Sequence, residues 1–193
     1  RYSEKLACPN DHDISMEELE PRQFSFNAPW GACPACTGIG TTMEVDPELL
    51  VPDDSLSLID GAIAVWNTPH VAAHFKHVYE ALGETEEFDV ATPWRDLPSA
   101  VQRTVLHGNG DPVVVRYRNR FGRVRSYTQK FEGAIHYVKR RHAEAETDNQ
   151  RERFGEYMRE IPCSACRGAR LKPSSLAVTV GGLNIAELSA LSI

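Results

Sequence analysis

The chain has 193 residues, of which 41% are hydrophobic and 25% charged, and its net charge is −6. This is the composition of an ordinary soluble globular chain, one domain or a domain with appendages, and it excludes a disordered or fibrous polymer. The longest apolar runs, residues 61–66 and 176–180, fall far short of the roughly 20 residues a bilayer-crossing helix needs, so no membrane segment is expected.

The first residues carry neither an initiator methionine nor the apolar core of a signal peptide, and the chain reads as a piece of a longer protein. Cys8-Pro9-Asn10-Asp11-His12 offers a half-site, Cys8 with His12, whose completing ligands would lie upstream; a spare thiol in a loop is the alternative. Residues 23–27 alternate apolar and polar positions, which predicts a strand with Phe24 and Phe26 on one buried face. A short knuckle follows, Cys33-Pro-Ala-Cys36-Thr-Gly38, and prolines through residues 46–54 mark passage into a separately folded insertion, with the boundary near Thr42.

Within the insertion, Thr68-Pro69 starts a predicted helix with Phe75, Val78, Tyr79 and Leu82 on its inner face, ending before Gly83. A second helix is predicted over residues 99–107, with Val101, Val105 and Leu106 inward. Residues 113–118 and 123–128 read as a hairpin, and helices are expected over 132–144, burying Ile135 and Val138, and over 147–160, burying Phe154, Tyr157 and Met158. A second knuckle, Cys163-Ser-Ala-Cys166-Arg-Gly168, precedes a predicted strand over 176–180 and a Gly181-Gly182 turn into a helix start. The expected fold is α+β: a small zinc-clamped base, built from both ends of the chain, carrying an inserted domain in which two or three helices cover a small antiparallel sheet.

The two C-x-x-C pairs supply Cys33, Cys36, Cys163 and Cys166. Paired thiols favour metal ligation in a reducing compartment over a secreted disulfide framework, and four thiolates suit one closed structural Zn²⁺. Ordinary zinc ribbons place their pairs about 15–20 residues apart, whereas 126 residues separate Cys36 from Cys163. A shared site therefore requires the intervening segment to fold by itself; two separate sites completed from elsewhere, or non-metal chemistry, remain open.

Charge is segregated. Residues 42–111 hold thirteen acids against Lys76, Arg95 and Arg103, while residues 113–141 hold nine bases against Glu132 alone. Arg116, Arg118, Arg120, Arg123 and Arg125 on the hairpin interleave with Tyr117, Phe121 and Tyr127, and Lys139, Arg140 and Arg141 follow. Guanidinium forks pair with phosphate and aromatic faces stack on bases, so this set is a candidate DNA surface; a solvated face balanced by the acidic first half is the alternative. Strand alternation puts Arg116 and Arg118 on one face, with Val113, Val115 and Tyr117 on the other. His70, His74 and His77 share a helical face, where polar surface outweighs a metal reading because no carboxylate completes a motif. The sequence contains no G-x-x-x-x-G-K-[ST] phosphate loop and no G-x-S-x-G elbow, so no enzymatic activity is expected of this segment.

Cys8-Pro-Asn-Asp-His12, Glu18-Leu-Glu-Pro-Arg22, Phe24-Ser-Phe-Asn27 and Gly31-Ala-Cys33-Pro-Ala-Cys36-Thr-Gly-Ile-Gly40 resemble the UvrA family, the damage-recognising ATPase subunit of the bacterial excinuclease ABC. The likeness continues through Asp46-Pro-Glu48, Ser57-Leu58, Gly61-Ala-Ile63, Pro93-Trp94, His107-Gly-Asn-Gly110, Phe131-Glu-Gly133, Arg140-Arg141 and Pro162-Cys-Ser-Ala-Cys-Arg-Gly-Ala-Arg-Leu-Lys-Pro173, which is essentially the whole chain. The resemblance implies that residues 1–42 and 156–193 belong to the first signature domain, after the UvrB-binding domain, and that 43–155 form the mobile insertion domain. It implies one zinc on Cys33, Cys36, Cys163 and Cys166, contact with damaged double-stranded DNA, UvrB bound through the adjacent upstream domain, and a cytoplasmic, homodimeric parent that uses ATP outside this segment. In the family the earlier knuckle reads C-P-x-C and joins an upstream C-x-x-H; here Asp11-His12 stands where its second thiol would be. A UvrA-like drug-resistance paralogue would share the same features.

Overall fold

The computed structural model describes residues 19–69, 71–118 and 121–191; Cys8, His12, His70 and Arg120 lie outside the described residues. Pro21–Phe24 form a 3-10 turn, not the expected strand. Pro21 has no N–H for a ladder, and the side chains of Glu20 and Gln23 cap the turn reciprocally. Phe24 is only partly buried, and Phe26 stays 43% exposed with the Arg170 guanidinium over its ring.

Strand β1 (Thr41–Val45) leads to a one-turn helix α1 (Pro47–Leu50), started by Asp46, whose carboxylate accepts the Glu48 N–H at 2.8 Å. Helix α2 (Ala72–Glu86) buries Phe75, Val78, Tyr79 and Leu82 as their spacing predicts, but it runs through Gly83. That glycine serves close packing: a Cβ there would lie 2.9 Å from both the Phe88 carbonyl and the Val90 methyl. Helix α3 (Ser99–His107) matches the expected span, with Val101 and Val105 buried.

Strands β2 (Pro112–Arg118) and β3 (Val124–Lys130) pair antiparallel, from Pro112 opposite Lys130 to Arg118 opposite Val124. Helix α4 (Gly133–Ala143) follows, and α5 (Asp148–Gly155), capped by the Thr147 hydroxyl, ends earlier than the helical periodicity suggested. Tyr157 is half-buried beyond the helix, and Met158 opens strand β4 (Met158–Pro162), which pairs with β1. Pairing with a distant strand here overrides the local helical pattern. Next come α6 (Pro173–Leu176), which takes up the first part of the strand expected over 176–180, then β5 (Thr179–Val180), β6 (Leu183–Asn184) and α7 (Ile185–Ser189), the last closed by an Asn184/Glu187 capping box. Among the described residues, helices and three two-stranded sheets make an α+β fold, and no helix is long and apolar enough to cross a membrane.

The chain divides into two compact units. Glu44–Arg159 forms one, with a continuous apolar core around Trp66, whose ring stacks on Phe75 at 4.0 Å and meets Tyr137 edge-on at 5.6 Å. Helix α2 packs on β2, α3 on α4, and α4 on α5. This unit's two ends lie together: the Asp46 N–H donates to the Tyr157 carbonyl at 3.0 Å, and Arg159 pairs with Asp46 at 2.6 Å. The other unit comprises the described residues up to Met43 and from Glu160 on. Its buried cluster is the four cysteines, with Ala169 packed against them. Around them, an Ala32–Leu171 bridge, the Lys172 N–H to the Gly31 carbonyl (2.8 Å) and the Ser175 hydroxyl to the Gln23 carbonyl (2.5 Å) tie the two chain segments of this unit together.

Candidate metal centre and nucleic-acid interface

The two knuckles repeat in backbone as they do in sequence. Thr37 and Gly38 have positive φ (51° and 81°), as do Arg167 and Gly168 (50° and 86°), the equivalent positions after each second cysteine. The next equivalent pair, Gly40 and Arg170, also has positive φ, at 96° and 66°. This curl brings backbone N–H groups round to sulfur, and the Gly40 N–H lies 3.2 Å from Cys36 Sγ. Gly38 has a second constraint, since a Cβ there would lie 1.9 Å from the Phe26 carbonyl.

The knuckles also complete one another. The Cys33 N–H donates to the Arg170 carbonyl at 2.8 Å and the Cys163 N–H to the Gly40 carbonyl at 2.9 Å, so each first cysteine is fixed by the far end of the opposite knuckle. Sequence reasoning missed this pair of carbonyls, because the repeat in sequence stops at Gly38 and Gly168 and the position four past the second cysteine holds Gly40 in one knuckle and Arg170 in the other.

The result is four buried ligand sulfurs within 4.8 Å of one another, with Cys36 and Cys166 Sγ at 3.7 Å. Sulfurs held at ~2.3 Å by one tetrahedral ion would stand about 3.8 Å apart. The 3.7 Å separation is far beyond a disulfide bond of about 2.05 Å. Burial acts to raise the Cys36 thiol, but the Gly40 N–H and the Cys166 and Cys33 thiols outweigh it and bring the group down to about 7. Burial pushes Cys166 the other way, up to about 11. With protons alone, one sulfur of the pair becomes the thiolate and the other must stay its donor. A soft divalent cation removes that conflict by accepting all four as thiolates, and a closed all-sulfur set suits Zn²⁺ in a structural role.

In the other unit, the hairpin register sorts the candidate DNA residues by face. Val113 and Val115 are buried against the core, and Arg116 and Arg118 are exposed on the opposite side, across from Ser126 and Val124. Lys130 shares that side, whereas Arg125 stands opposite Tyr117, on the core-facing side. Tyr117 and Tyr127 also face inward: Tyr127 Oη lies 3.1 Å from His74 Nδ1, and the Tyr117 ring approaches His77 at 6.0 Å. These two tyrosines therefore do not interleave with Arg116 and Arg118 as a base-stacking surface, because the pleat separates neighbours along a strand. Phe121 and Arg123 lie in the connecting turn.

The α4 cations are engaged within the unit. Lys139 pairs with Glu44, and Arg140 forks onto Glu132 at 2.6 and 3.0 Å while reaching Glu144 at 3.0 Å. The hydrogen bonds to Glu132, chiefly, hold the Arg140 guanidinium above its ordinary range. Arg141 lies over the Phe154 ring at 5.6 Å. By contrast, among the described residues Arg116, Arg118 and Arg125 have no acidic partner. His74 and His77 are taken up by Tyr127 and Glu80, and the described residues bring no third ligand to them.

Residues 46–156, nearly the whole of the Glu44–Arg159 unit, match the sequence model of the UvrA DNA-binding domain. The chain belongs to the UvrA family. UvrABC system protein A of Streptomyces coelicolor is 57% identical over 192 residues, covering all of this chain and 19% of that protein. The UvrABC system protein A of Deinococcus radiodurans is 45% identical over 194 residues, again covering all of the chain and 19% of the relative. The chain thus spans about a fifth of the length of these UvrA proteins. The crystal structure of UvrA2 from Deinococcus radiodurans superposes with a TM-score of 0.71 at 30% identity, covering 94% of this chain and 22% of that one.

Proposed function

We propose that this chain is the zinc-stabilised, DNA-contacting segment of a UvrA protein acting in nucleotide excision repair. Cys33, Cys36, Cys163 and Cys166 hold one structural Zn²⁺ that pins the base, and the inserted unit meets damaged duplex DNA through the outer face of its hairpin. ATP use, UvrB binding and homodimerisation belong to the parent protein beyond this segment, in the cytoplasm where thiols stay reduced. The 57% identity to a UvrABC system protein A, against 30% to UvrA2, favours the general repair protein over a paralogue with another task.

One observation carries the DNA reading: Arg116 and Arg118 stand exposed on one face with no acidic partner among the described residues, in a hairpin whose residues 112–131 include no acid. Within the candidate set, Lys139 and Arg140 are already satisfied internally and rank below them. The test is duplex binding measured against salt for the 193-residue chain and its Arg116→Glu/Arg118→Glu variant. Removing one phosphate neutralisation should flatten the log–log salt slope by about 0.9, so the double variant should bind more weakly with a slope shallower by about 2. Unchanged affinity and slope would remove the DNA assignment and leave a structural or protein-contact module.

A further inference from the structure

Among the described residues, the core of the inserted unit leaves one buried side-chain polar atom unanswered. Trp66, in the 3-10 turn Ala64–Trp66, is 1% exposed, and its indole Nε1–H has no hydrogen-bond acceptor. Buried donors are nearly always paired, so an orphan at the centre of a core calls for a reason. Trp66 also lines a cavity of about 310 Å³ between the start of α2, the end of β3 and α4. Small-molecule sites begin at about this size, roughly 300 Å³. Phe75 and Tyr137 give the cavity aromatic walls, and Lys130 and Arg141 give it cations with no acidic partner among the described residues. The acid that lines it, Glu132, is already taken by the Arg140 fork. Aromatic walls, a donor lacking an acceptor and cations beside them fit a planar heteroaromatic ring joined to an anion, which is the chemistry of a nucleotide. A bare anion would leave the rings unused, and an apolar molecule would leave the N–H and the cations unused. Lys130 stands on the same side of the hairpin as Arg116 and Arg118, so the cavity adjoins the face proposed to follow DNA phosphates.

We propose that this cavity is a nucleotide site, in which the base packs on the Phe75 and Tyr137 rings, offers an acceptor to the Trp66 indole, and sets its phosphate against Lys130 and Arg141. The indole is closed off from solvent, so the base gains it as Tyr137, half-buried and packed on Trp66, turns aside. The source of the nucleotide rests on the duplex-contact reading above: it is one everted from the bound duplex, which costs least where the base is unpaired or damaged. A free mononucleotide presents the same groups. Recognition of this kind favours a locally opened duplex, because a paired base cannot reach the indole.

The experiment follows the indole N–H resonances of the 193-residue chain by NMR, that of Trp66 assigned with Trp66→Phe, against three probes: a duplex with one bulged adenine, the same duplex with an abasic bulge, and deoxyadenosine monophosphate. The adenine-bulge duplex should move the Trp66 indole proton downfield, as gaining an acceptor requires, and should bind about fivefold or more tighter than the abasic one. Trp66→Phe keeps a ring and loses the donor, so it should shrink that preference while the salt slope stays that of the wild type. Movement with the mononucleotide but with neither duplex supports the nucleotide site, assigns it to free nucleotide and overturns the everted source. No movement with any probe, or equal movement with the abasic duplex, overturns the site; duplex binding with a normal salt slope would then leave the phosphate reading intact. Absence of duplex binding removes that reading, and the mononucleotide still decides the cavity.

Discussion

The two units solve the same problem with different chemistry. Glu44–Arg159 is held by a broad apolar core from Val45 to Phe154, while the other unit has as its buried cluster four sulfurs and one packed alanine. The first is a hydrophobic fold whose stability is spread over many contacts; with the proposed zinc bound, the second would concentrate its stability at a point. Such a division predicts that the two should fail separately and by different agents.

The largest expected effect is on the metal. Native mass spectrometry should count one zinc per chain, and Cys33→Ser and Cys163→Ser should each lose it completely. A structural zinc site contributes on the order of 10 kcal/mol at neutral pH, so chelation should unfold the cysteine unit while Trp66, in the other unit, keeps its native fluorescence. Retention of metal by either variant would show that the pairs bind independently, and joint loss of both units would erase the contrast.

The complementary perturbation is Trp66→Ala, which removes the centre of the apolar core and should destabilise the inserted unit by about 3–5 kcal/mol in denaturant titration. Zinc content should not change. Smaller still is Gly83→Ala: alanine favours the helix by up to about 1 kcal/mol, but overpacking costs about 1–3 kcal/mol, and the Phe88 carbonyl is backbone that cannot swing aside. The net should be a loss of up to about 2 kcal/mol, and any gain would mean that Gly83 is not a packing glycine. Smallest is Glu132→Gln at the exposed fork with Arg140, expected to alter thermal stability by no more than about 1 kcal/mol. A larger loss would show that surface charge, not the core, carries this unit.

What could be read in advance follows the same division. In the inserted unit, helical spacing located Phe75, Val78, Tyr79 and Leu82, the 99–107 helix matched, and the strand period put Val113 and Val115 inward, because each element shows one face to a large core. The errors fell where a contact distant in sequence decides: Met158 leaves the helical pattern to open β4, which pairs with β1, and Gly83 answers to Phe88 and Val90. In the cysteine unit, periodicity carried little information. Phe24 and Phe26 alternate like a strand but pair with none among the described residues, and Pro21 and the Glu20/Gln23 cap decide the local shape. The repeated C-x-x-C identified the sulfurs because ligand chemistry is legible without a core. It did not reveal the face-by-face split of the arginines, which needed the hairpin register, nor the engagement of Lys139 by the distant Glu44 and of Arg140 by Glu132, which stands at the N-terminal end of the same helix.

The reciprocal hold of Cys33 by Arg170 and of Cys163 by Gly40 has a consequence for biosynthesis. Translation at about 5–20 residues per second leaves the leading knuckle waiting on the order of ten seconds for its counterpart, since 126 residues must be made in between. During that interval half of the proposed chelate is open to competing ions and oxidants. The inserted unit can shorten the exposure by folding first, because the Asp46–Tyr157 contact draws its own entrance and exit together and delivers the late cysteines beside the early ones. On the proposed zinc reading, slow folding of the lobe would therefore surface as mismetallation or thiol damage at a site it does not contain.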